Sequence, residues 1–122
     1  MSNALLAMSG PTFGNMDVTV YDVYTVASST IVTSTSNAVT IFSGRSWSWA
    51  LVDIMQGGAV TPRPFAVSNS VSINGSLFSL NMLSGTRSCF VHLYGTSTNL
   101  TGGVNNNGSG YSWIITAYVP ST

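Results

Sequence analysis

The ten residues Asp17-Val18-Thr19-Val20-Tyr21-Asp22-Val23-Tyr24-Thr25-Val26 decide the fold class. They alternate with period two: Val18, Val20, Tyr24 and Val26 fall on one side, and Thr19, Tyr21, Val23 and Thr25 on the other. Successive side chains of a strand point to opposite faces, so this spacing suits a pleated strand and no helix. The run is also rich in β-branched and aromatic residues, which pack well on a pleated surface.

Outward from this run the same vocabulary recurs. Residues 30–33, 38–43 and 46–55 are further β-type runs. Thr61-Pro62-Arg63-Pro64 then interrupts, because two prolines cannot sit in a central strand. Asn74-Gly75 lies between the runs 70–74 and 76–83 and signals a tight hairpin. Residues 87–94 and 111–119 complete the set, and residues 96–110, rich in Gly and Asn, are expected to form a long loop. The expected fold is therefore all-β: a single β-sandwich of about eight antiparallel strands over residues 16–122, with a jelly roll as its candidate topology. Residues 1–15 are expected to form an extended N-terminal arm, since Gly10 and Pro11 end any helical turn around Leu5.

Composition narrows the job. The 122-residue length fits one domain. Only 5% of residues are charged, three Arg and three Asp, with no Lys and no Glu; a globular domain usually carries about 25%. Net charge is zero, so copies of the chain repel one another little and self-association is expected. With 44% hydrophobic residues the chain is not of the disordered class. Cys89 is the single cysteine, so no internal disulfide staples the fold. No apolar run is long enough for a membrane-spanning helix. The apolar run 4–8 is too short for a signal-peptide core and lacks a basic flank. Synthesis in the cytoplasm without a signal peptide, and no membrane partner, are expected.

Chemistry-bearing constellations are sparse. His92 is the lone histidine, three residues after Cys89; on a strand such positions face opposite ways, so the two are not expected to form a nucleophile–base pair. Structural zinc needs about four Cys or His ligands, and Asp17, Asp22 and Asp53 are scattered rather than clustered for calcium. The Gly-rich stretch 101–110 leads into a strand rather than a helix, unlike a phosphate-binding turn. Three dispersed Arg give no basic patch for nucleic acid. No catalytic residue, cofactor or metal is expected.

The apolar residues are more informative. In 47–55, Trp47, Trp49, Leu51 and Met55 are expected on one face and Ala50, Val52 and Ile54 on the other. In the last strand, Trp113, Ile115 and Val119 oppose Ile114 and Tyr118. A sandwich covers one face of each sheet, so the second apolar face requires a further cover: a loop, the arm or a neighbouring subunit. Leu5, Leu6, Met8 and Phe13 on the arm are the candidate assembly residues. Core packing is the favoured role of Trp47, Trp49 and Trp113. In the alternative, Trp47, Trp49 and Tyr111 stack on sugar rings.

Three features taken together resemble a known class: the apolar arm 4–8, the Lys-free body rich in Ser, Thr and Asn, and the ending Gly108-Ser109-Gly110-Tyr111-Ser112-Trp113-Ile114-Ile115-Thr116-Ala117-Tyr118. They resemble the small β-sandwich virion proteins of tailed phages and related viruses, namely capsid decoration (cement) proteins and fibre or spike tips. The resemblance implies a non-enzymatic homo-oligomer, a trimer by that likeness, placed on the virion in contact with other capsid proteins. Its alternative is a receptor- or carbohydrate-binding module of fibre-tip or lectin-like kind.

Overall fold

A computed structural model describes residues 18–28, 38–105 and 112–121. Among them lie nine strands: β1 (Tyr21–Ala27), β2 (Val39–Phe42), β3 (Trp49–Gln56), β4 (Ala59–Val60), β5 (Phe65–Ser68), β6 (Ser72–Met82), β7 (Gly85–Gly95), β8 (Leu100–Asn105) and β9 (Trp113–Pro120). The described residues contain no helix. All pairings are antiparallel, in the order β1-β9-β3-β4-β6-β7-β8-β2, with β5 also on β3. The sheet is nearly closed into a barrel-like sandwich, which establishes the all-β expectation. The jelly-roll topology is not confirmed; β6, β7 and β8 follow one another as a meander. The arm 1–15, with Leu5, Leu6, Met8 and Phe13, lies outside the described residues, as does the run 30–33.

The interior follows from alternation. Ala50, Val52, Ile54 and Gln56 of β3 point inward, as do Trp113, Ile115, Ala117 and Val119 of β9. The apolar ones among them meet Cys89, Val91 and Leu93 of β7, with Leu80, Leu100 and Val104, in one buried cluster. Each large apolar side chain buried there contributes roughly 1.5–3 kcal/mol before ordering costs.

Two strand assignments from sequence need correction. Asn74-Gly75 is not a hairpin: β6 runs straight through it, with a register shift between Asn74 and Ser76. Gly75 adopts a left-handed φ (+74°), which serves a bulge rather than a hairpin turn. The extra residue slips the alternation by one, so Ile73 packs inward before it and Phe78, Leu80 and Met82 after it. The turn falls at Leu83-Ser84, closed by the Met82↔Gly85 pair. The second correction concerns 96–110, where β8 occupies Leu100–Asn105 in the expected loop. A Cβ on Gly102 would lie 2.7 Å from Leu93 Cδ2 and 3.2 Å from Ile41 Cδ1. Glycine here permits the close strand packing that looked like loop composition. Short β4 and β5 flank the two prolines, so the interruption is a local break in a strand that stays beside β3.

Candidate functional site

The outer face of β1, β9, β3 and β4 carries several of the apolar residues that the core leaves out. Register aligns Ala27, Ile114, Met55 and Val60 in one row across the four strands, and Val23, Tyr118 and Leu51 in another. Val23 is 57% exposed, Met55 44%, Val60 39% and Ile114 38%. A polar row separates the two: the Thr25 and Thr116 hydroxyls lie 3.3 Å apart, and the Thr61 hydroxyl donates to Asp53. This face is thus aliphatic at one end and aromatic at the other.

The aromatic end is built by β1, β3 and β9. Trp49 starts β3 and is 40% exposed. Tyr21 stands perpendicular to it, with ring centroids 6.1 Å apart, and stands perpendicular to Tyr118 at 6.4 Å. Edge-to-face contacts of this kind are the preferred geometry for aromatic pairs and limit ring motion. Beside Trp49 opens a cleft of about 320 Å³ lined by Ser46, Trp47, Ser48, Trp49, Pro120 and Ser121.

The border of the cleft is tied to the gap between β1 and β2. Arg45 Nη1 donates to Asp22 Oδ2 (2.5 Å) and to the Tyr24 hydroxyl (3.1 Å), and Nη2 to the Pro120 carbonyl (3.3 Å). Ser121 Oγ donates to Asp22 Oδ1 at 2.7 Å. The Ser121 hydrogen bond, followed by the one from Arg45, holds the Asp22 carboxyl below its usual range. Behind the cleft, Trp47 is 5% exposed; its indole N–H donates to the Thr96 carbonyl at 2.7 Å, and Phe42 meets it edge-on at 5.2 Å.

The structure separates Trp47 and Trp49, which the sequence placed on one face. A break before β3 changes the phase, so Trp47 plugs the barrel end while Trp49 faces solvent. Trp113 is buried as expected. Tyr111 lies outside the described residues. Sequence reasoning missed Tyr21 and Tyr118 as neighbours of Trp49, because only the β1–β9–β3 register brings them there.

His92 and Cys89 point to opposite faces of β7, both buried. His92 Nδ1 sits 3.2 Å from Asn74 Oδ1, and its Nε2 has no hydrogen-bond partner among the described residues. Burial pushes the Cys89 thiol up to about 11, far from a reactive thiolate at neutral pH. Among the described residues no group of three or more His, Cys, Asp or Glu is placed to hold a metal ion. No family model matches the chain, and no curated protein or solved structure shows significant similarity to it.

Proposed function

We propose that this chain is a non-enzymatic structural protein of a virus particle, of the capsid decoration or cement type, that works as a homo-oligomer. The observation that carries the assembly part is the exposed aliphatic row Ile114, Met55 and Val60 on three adjacent strands. Contiguous apolar surface of this kind marks an interaction site, and a charge-poor, electrically neutral chain does little to keep copies apart. The virion setting and the trimeric state rest on the resemblance of composition and chain ending. Contacts with other capsid proteins, and a part for Leu5, Leu6, Met8 and Phe13 in them, belong to the same proposal.

Native mass measurement and sedimentation of the full chain test it. Wild type should run as a discrete multimer. Ile114→Asp should shift it to monomer while the β-type circular dichroism persists, because an unpaired charge is costly to bury in an apolar contact. Deletion of residues 1–13 should weaken assembly and leave the sheet folded. A wild-type chain that stays monomeric at high concentration and binds no particle would overturn the proposal.

A further inference from the structure

The assembly proposal leaves the aromatic end of the same face unused, and there we infer a second activity: the cleft beside Trp49 binds a neutral saccharide. A pyranose ring presents a face of C–H groups and a rim of hydroxyls. Its receptor therefore needs a flat aromatic surface, polar groups at the edge and no uncompensated charge. Trp49 supplies the surface, 40% exposed and held by Tyr21 at 82°. Stacking on an indole already fixed in place costs little further ordering. Ser46, Ser48 and Ser121 line the cleft; the Ser121 hydroxyl donates to Asp22 and keeps its acceptor lone pairs. The ion pair beside it is internally neutralised, since Arg45 lies 2.5 Å from Asp22. The volume of about 320 Å³ falls at the small end of ligand pockets, which run from about 300 to 1,000 Å³, and suits the end units of a glycan.

Charge complementarity favours this occupant over others. An anionic or cationic ligand would find its counter-charge already engaged. An extended apolar peptide would place its second contact on a rim of serines. The aliphatic row lies across the Thr25, Thr116 and Asp53 row from the cleft, so loss of assembly and loss of sugar binding are separable.

The test uses the full-length chain on an array of immobilised neutral and acidic oligosaccharides. Titration of intrinsic fluorescence with maltotriose, chitotriose and lactose up to about 10 mM follows. Trp49 is the exposed indole among the described tryptophans, so its emission should shift on binding. Retention of a neutral glycan is expected. Trp49→Ala should weaken it by about tenfold or more, as removal of a stacking ring predicts. Trp49→Phe should restore part of the loss, and Ile114→Ser should leave binding unchanged. Thermal melts of the variants confirm folding. The inference is overturned if no glycan is retained and the sugars leave the emission unmoved. Retention indifferent to Trp49→Ala overturns it too, as does a Trp49-dependent response to a polyproline peptide but to none of the sugars.

Discussion

The two sides of this barrel are closed by different means. β6 and β7 join through a continuous backbone ladder from Ser72↔Tyr94 to Met82↔Gly85, broken only by the bulge at Gly75. Across the barrel, β1 and β2 meet through side chains: Tyr24 on Phe42 at 4.9 Å, Phe42 on Trp47, and Arg45 reaching Asp22 and the Pro120 carbonyl. A ladder is made of groups that every non-proline residue carries, so it tolerates most side-chain changes and depends on φ and ψ. A side-chain seam depends on the identity of a few residues drawn from distant parts of the chain.

The largest effect that separates the two is expected at Trp47. Trp47→Ala removes the plug that Phe42 and the Thr96 carbonyl hold in place, and should cost about 3–5 kcal/mol in denaturant unfolding. A loss below about 1 kcal/mol would mean that the seam does not need its aromatic plug. On the ladder side the sensitive position is a backbone one. Gly75→Ala places a Cβ at φ +74°, and a cost of about 1–2 kcal/mol is expected from left-handed strain. No such cost would show that the bulge can relax. Ser79→Ala, on the exposed face of the same ladder, should change stability by no more than about 0.5 kcal/mol.

The smallest effect lies back at the seam and is read by pH. Asp22 is held below its usual 3.8, so the folded state favours the ionised carboxylate. Its contribution is fully present above the unfolded value and is lost as pH falls through the lower folded one. The stability difference between wild type and Asp22→Asn should therefore hold steady at neutral pH and shrink in acid. A difference that grew on acidification would reverse the assignment. Because Asp22 is exposed, salt should reduce the effect further.

The contrast also explains what the sequence made legible. Alternation in residues 17–26 and 111–119 reports a local property, and β1 and β9 overlap those runs, each ending one residue beyond its run. Asn74-Gly75 was read as a tight hairpin, but a bulge and a turn both use a left-handed glycine, and the deciding fact was the pairing with β7. β8 was hidden because Gly102 answers to Leu93 and Ile41, neither of which is a sequence neighbour. The aromatic cleft was half visible. Trp49 stood out as a tryptophan, but its partner Tyr21 lies 28 positions upstream and reaches it only through β9.

Cys89 has a practical consequence. Its sulfur is wholly enclosed, on the inward side of β7 among Val91, Leu93 and Leu80, with its proton firmly held. In the folded sheet a thiol reagent meets neither an accessible atom nor a thiolate. The chain thus has a built-in clock. Where the reagent outpaces reclosing, the pace at which the sulfur reacts measures how often the sheet opens around β7, and no label need be engineered to read it.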